Sequence, residues 1–102
     1  MNEDITFSTP AGFEWDFGNK EKNRQRHQVD TSECEEVFLN KPLLISPDTA
    51  HSKTEPRYRA LGITNDKRKL FLSFTVRGHQ VRIISARDQN RKERKYYETS
   101  KS

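Results

Sequence analysis

The sequence predicts an α+β fold: an antiparallel sheet with helices packed on one face, in the order β-α-α-β-β-β-α. Three observations carry this expectation. Residues 57–86 hold three segments of alternating apolar and polar residues separated by turn-formers, the pattern of a strand meander. Segments 19–27 and 32–39 before the meander, and one reaching about residue 98 after it, have helix-compatible composition behind capping residues. The chain is 102 residues long, the size of one domain. Residues 1–12 read as a loose leader, 13–98 as the folded domain and 99–102 as a loose tail.

Taken in order, Phe13-Glu14-Trp15-Asp16 puts two aromatics at alternate positions, a short strand with Phe13 and Trp15 on one face. Asp16 can cap the helix that follows, and Lys20, Lys22, Arg24, Arg26 and His27 are spaced around its polar circumference. Ser32 and Glu35 form an S-x-x-E capping pattern for the second helix. There Cys34, Val37 and Phe38 make one buried stripe at i, i+3 and i+4. Asn40-Lys41-Pro42 ends that helix. Leu43-Leu44-Ile45 is a short strand or a packed turn, and 46–56 is loop.

Over 57–64, Arg57, Arg59, Leu61 and Ile63 alternate with Tyr58, Ala60 and Gly62. Asn65-Asp66-Lys67-Arg68 is a turn. Over 69–76, Leu70, Leu72, Phe74 and Val76 face the core, while Lys69, Phe71, Ser73, Thr75 and then Arg77 face the other side. Gly78-His79 is a hairpin tip. A further strand over 80–86 holds Val81, Ile83 and Ile84, and Asp88 or Asn90 caps a basic last helix. The second sheet face then shows Arg57, Arg59, Ser73, Thr75 and Arg77, a basic, hydroxyl-rich seat for a phosphate backbone. Arg82 and Arg87 are an odd number of residues apart, so strict alternation places them on opposite faces.

Composition narrows the function classes. Hydrophobic residues make up 30% and charged residues 33% of the chain, against a usual apolar share of ~45–50%. The core is therefore thin, and a partner that covers one face would add stability. Residues 1–50 carry five Lys/Arg against ten Asp/Glu, and residues 51–102 carry fourteen against five. A basic half on a small domain points to a polyanion such as nucleic acid, or is simply a solvated surface. Cys34 is the single cysteine, which excludes an internal disulfide and a cysteine-rich zinc site. The acidic start lacks the apolar stretch of a signal peptide, and no apolar run is long enough to span a membrane. A cytoplasmic protein fits best.

A family resemblance runs through these segments. Phe13-Glu14-Trp15-Asp16 resembles the opening motif of BrnT-family toxins. Asn23 with Arg26-His27 is similar to the family's N-x-x-K/R-H segment, and Glu35-Glu36-x-Phe38 to its second helix. Glu55-x-Arg57, Gly62 and Thr75-x-Arg77 follow in order. Arg82-Ile83-Ile84-Ser85-Ala86-Arg87, then Glu93-Arg94 and Tyr97, complete the set. The resemblance implies a RelE-like fold and a ribonuclease toxin of a bacterial type II toxin–antitoxin system that inhibits translation. It also implies a BrnA-like antitoxin, usually in a heterotetramer, through which DNA is mainly contacted. Three positions depart from the family pattern. Asn19 stands where a Lys is usual and Phe17 where a Pro is usual. Gln28 replaces a Gly suited to a left-handed helix C-cap, a conformation Gln takes only at a cost.

RNA can be cut without metal or cofactor when its own 2′-hydroxyl attacks the adjacent phosphate. The protein must then supply a base, positive charge for the phosphorane and an acid for the leaving oxygen. His27 is the acid/base candidate, or else a cap at the negative end of the first helix. Arg57 and Arg77, and less directly Arg59, can grip the scissile phosphate through paired guanidinium donors, or serve as edge charges that discourage aggregation. Glu55 orients an arginine, acts as base, or is a solvated loop acid. Arg82 is a further RNA contact; Arg87 is another, or instead pairs with Glu14 or Glu93 to hold the fold. Lys20 and Lys22 are general RNA contacts. Tyr97 stacks on a base or packs the last helix. Nothing in the pattern forms a metal-binding carboxylate cluster. The alternative to an enzyme is a non-catalytic nucleic-acid-binding or antitoxin-binding module on the same fold.

Overall fold

The computed structural model describes residues 12–14, 27–51 and 55–100. The elements are β1 (Gly12–Glu14), α1 (Thr31–Leu39), β2 (Leu44–Pro47), a 3-10 turn (Thr49–His51), β3 (Tyr58–Ile63), β4 (Lys69–Arg77), β5 (Gln80–Asp88) and α2 (Arg91–Ser100). The helix expected over 19–27 lies outside the described residues except for His27, which is helical. The leader over 1–12 also lies outside them, except for Gly12. At the other end α2 continues through Ser100, past the expected start of a tail.

One five-stranded sheet runs β1-β5-β4-β3-β2. The α+β class is as the sequence predicts, and strands β2 to β5 pair antiparallel. β1 instead joins β5 in parallel, which makes the sheet mixed. Parallel pairing needs a long connection, and the whole α1-to-β4 segment supplies one. Leu44–Pro47 resolves the ambiguous apolar run as an edge strand on β3.

Alternation in β4 settles the core. Leu70, Leu72 and Phe74 are fully buried on one face, opposite Gly62, Ala60 and Tyr58 of β3. α1 packs there through Cys34, Val37 and Phe38. Phe38 meets Phe13 and Phe74 edge-to-face at centroid distances of 5.5 and 5.2 Å, and Tyr58 stacks on Phe74 at 5.5 Å. Each such pair adds ~0.5–1.5 kcal/mol to its area burial. Gly62 admits the helix: a Cβ there would come within 2.4 Å of Val37 Cγ1. The N-cap of α1 is Asp30, two residues before Ser32, because Glu33 reaches back to the Asp30 N–H at 3.0 Å and closes the same kind of box.

α1 covers the first face as expected, whereas α2 lies against the second. Tyr97 is fully buried, apart from the main apolar cluster, and its hydroxyl donates to the Pro42 carbonyl. Lys69 pairs with Glu98, and Arg87 with Glu93, which fastens α2 over the Leu61–Phe71 part of that face. Among the described residues, no helix is long and apolar enough to cross a membrane.

Candidate functional site

The second face of the sheet gathers arginines because of one irregularity. Arg82 pairs with Thr75 and Arg87 with Phe71, yet Ile84 has no opposite residue: a bulge shifts the register between Ser73 and Phe74. One extra residue inverts the alternation beyond it. Arg82 and Arg87 therefore share a face, against the expectation from their odd spacing. Arg59, Ser73 and Arg77 lie on that face too. The rows across the strands read Ser46–Arg59–Ser73–Ser85, then Thr75–Arg82, then Arg77–Gln80.

At the hairpin end of this face Glu55 meets Arg77, Arg82 lies diagonal to Arg77, and Arg57 stands two residues along the chain from Glu55. Both Glu55 carboxylate oxygens lie 3.4 Å from Arg77, one from Nε and one from Nη2. Arg82 is the diagonal neighbour of Arg77, a spacing of ~7–8 Å between such positions. Thr75 is fully buried and donates its hydroxyl to the Pro56 carbonyl at 2.6 Å. It is thus an anchor for the Glu55-Pro56-Arg57 segment, not the phosphate contact that its place on the face suggested. Half-buried Arg57 is held by its backbone as well, since its carbonyl accepts from the Asp48 N–H at 2.8 Å. Gly78, at φ 62°, leads the tight turn that closes this end.

His27 is not part of this group. Its carbonyl accepts from Arg68 Nη2 at 3.0 Å, beside the first residue of β4, whereas Arg77 is the last. Eight steps of extended strand at ~3.3 Å put the two ends roughly 25 Å apart. His27, a candidate for the same RNA-cutting reaction as Arg57 and Arg77, thus stands at the opposite end of β4 from Arg77.

Arg68 organises the His27 end, and sequence reasoning missed it as one of four turn residues. Its guanidinium donates to Asp88 at 2.7 and 3.2 Å, to both Glu33 oxygens at 3.2 Å, and to the carbonyls of His27 and Gln28 at 3.0 and 2.9 Å. The Arg68 hydrogen bond, opposed by partial burial, holds the Asp88 carboxyl below the usual carboxylate range. Its partners are far apart in sequence, so no local pattern marks it. Gln28 takes the left-handed conformation at φ 55°, as the helix C-cap reading of that position implied.

The remaining candidates divide. Arg87 is structural: it donates to Glu93 at 2.8 and 3.0 Å and lies 4.1 Å over the Phe71 ring. Burial raises the Glu93 carboxyl, but the bonds from Arg87 and from the Asn90 N–H outweigh it and leave a net lowering. Tyr97, fully buried, is not placed to stack on a base. Arg59 is exposed on the arginine face. Lys20 and Lys22 lie outside the described residues. Cys34 is buried, and that burial, with Glu33 and Glu35 nearby, pushes its thiol up to about 12, so it is no nucleophile. Among the described residues, no group of three or more His, Cys, Asp or Glu side chains is placed to hold a metal ion.

Comparisons with known proteins agree with this architecture. The family described as "Ribonuclease toxin, BrnT, of type II toxin-antitoxin system" matches residues 15–93. The crystal structure of the Brucella abortus ribonuclease toxin BrnT is similar to the chain at a TM-score of 0.61 and 20% identity. The likeness covers 78% of this chain and 97% of that one. At that identity it speaks to the fold. No curated protein matches the sequence.

Proposed function

The chain belongs to the BrnT family of ribonuclease toxins of type II toxin–antitoxin systems, and we propose that it cuts RNA, without a metal ion, at the hairpin end of its arginine face. Cleavage inhibits translation, and a BrnA-like antitoxin neutralises the toxin in a heterotetramer that contacts DNA mainly through the antitoxin. The observation that carries this reading is the bulge, which adds Arg82 to the face of Arg59 and Arg77.

In this reading Glu55 accepts the proton of the RNA 2′-hydroxyl as that oxygen attacks the phosphate. Arg77 both holds Glu55 and, with Arg57 and Arg82, stabilises the added negative charge of the phosphorane. The leaving 5′-oxygen takes its proton from water at this solvent-exposed end. Four of the described acids are met by guanidinium groups, Glu55 by Arg77, Glu93 by Arg87, Glu33 and Asp88 by Arg68. That pattern favours cation-assisted chemistry of the phosphate over a carboxylate-held metal.

The test is cleavage of a labelled RNA by purified protein in EDTA. Cutting that persists in EDTA and collapses in Arg82→Ala and Glu55→Gln supports the assignment. Cutting that needs Mg²⁺, or that survives both substitutions, overturns it. One observation favours a second reading, a non-catalytic nucleic-acid-binding or antitoxin-binding module: His27 sits beside Arg68 at the start of β4, at the opposite end of that strand from Arg77. Salt-sensitive RNA binding with no cutting, or tight antitoxin binding with neither, would establish that reading instead.

A further inference from the structure

A cleft of about 260 Å³ opens between α2 and the sheet, lined by Leu44, Leu61, Phe71, Arg59, Glu93 and Tyr96 among others. This is just under the ~300–1,000 Å³ of typical small-molecule pockets, which is room for one planar ring rather than an extended ligand. Its floor is apolar: Leu61 and Phe71 are cross-strand partners on the arginine face. Tyr96 forms part of its wall from α2. Tyr97, next to it, takes up the core-facing position, so Tyr96 stays 63% exposed, one of two large hydrophobic side chains left so among the described residues.

Three polar residues, Ser46, Arg59 and Glu93, complete the lining. Arg59 belongs both to the cleft and to the Ser46–Arg59–Ser73–Ser85 row, so the cleft continues directly into the basic face. Among the described residues, Glu93 spends Oε1 on Arg87 and Asn90, and Oε2 on Arg87 alone. A carboxylate oxygen accepts two hydrogen bonds, so Oε2 keeps one acceptor position.

We infer that this cleft is a nucleobase subsite: it takes one unpaired base of a single-stranded RNA, stacked on Tyr96 above the Leu61–Phe71 floor, while the strand's phosphates follow Arg59 onto the arginine face. The inference rests on the proposed RNA chemistry and adds where the substrate is read. Single-stranded RNA is recognised by this combination, an aromatic platform for a splayed base beside cations for the backbone. The edge of a base offers both donors and acceptors, and the cleft answers with the Glu93 acceptor and the Arg59 donors.

The experiment measures binding of 2′-O-methylated oligonucleotides, which lack the attacking hydroxyl, by fluorescence anisotropy. A base-bearing strand is compared with an abasic strand of equal length, on the unaltered chain, Tyr96→Ala and Tyr96→Phe, with melting curves for each. We expect Tyr96→Ala to lose on the order of tenfold or more in affinity for the base-bearing strand. Its binding of the abasic strand and its melting should be unchanged, and Tyr96→Phe should retain the affinity. Undiminished binding of the base-bearing strand by Tyr96→Ala overturns the subsite and leaves the RNA reading standing, as does an equal loss on both strands. A loss of antitoxin binding alone assigns the cleft to the protein partner and overturns the subsite too. If the unaltered chain binds neither strand, the RNA reading fails and the subsite fails with it.

Discussion

The two ends of β4 each carry an arginine, and the two do opposite things. Arg68, just before the strand, spends its guanidinium on two carboxylates and two backbone carbonyls, and is mostly covered. Arg77, at the strand's end, has one long bidentate contact to Glu55 at 3.4 Å and is about half exposed. A guanidinium saturated by fixed acceptors is a clamp. One held loosely by a single carboxylate can exchange that partner for a phosphate. The two arginines differ in how far their donors are satisfied, not in residue type.

The largest expected effect tests the exposed end. Arg77→Ala should reduce the initial rate of RNA cleavage by about 100-fold or more, the scale of one lost charge-stabilising donor, with the urea midpoint nearly unchanged. A matching loss of stability would mean that Arg77 is a second clamp, and the contrast would collapse.

Next comes the clamp itself. Arg68→Ala leaves Glu33, Asp88 and two carbonyls short of a donor and should cost about 2–3 kcal/mol of unfolding free energy, read by urea titration. Per folded molecule, cleavage should stay within a few-fold of the unaltered chain. The same clamp sets an acid limit. Because the Asp88 carboxyl is held below its ordinary value of 3.8, its contribution is complete above that pH and is lost as the pH falls through the lower folded value. The unaltered chain should therefore lose stability below about pH 4 more steeply than Arg68→Ala; parallel acid limbs would show that the pair carries no such linkage.

The smallest effect probes the backbone that Arg68 grips. Gln28 holds φ 55°, and Gln28→Gly should raise stability by about 0.5–1 kcal/mol by relieving the left-handed strain. A decrease would mean that the glutamine side chain compensates through contacts of its own.

How much of this was legible beforehand follows from the range of each interaction. Alternation along β3 and β4 marked the core face residue by residue, because a two-residue period is local. Arg59 and Arg77 were placed on the second face for the same reason. The left-handed place of Gln28 was also readable, since the conformation belongs to one residue at a helix end. Arg82 and Arg87 were misplaced because their shared face depends on a bulge, which is a property of two paired strands and leaves no mark in either alone.

By itself, then, the sequence determined the local structure of this protein: strand periods, the apolar stripe of α1, the hairpin at Gly78, and the family to which the ordered motifs belong. Only the tertiary structure decided that His27 and Arg77 stand at opposite ends of β4, that Arg68 is a clamp, and that Tyr97 is core while Tyr96 meets solvent. These outcomes rest on groups brought together from distant parts of the chain, where pairing register and helix docking, rather than residue type, set which side chains are satisfied and which remain open to a ligand.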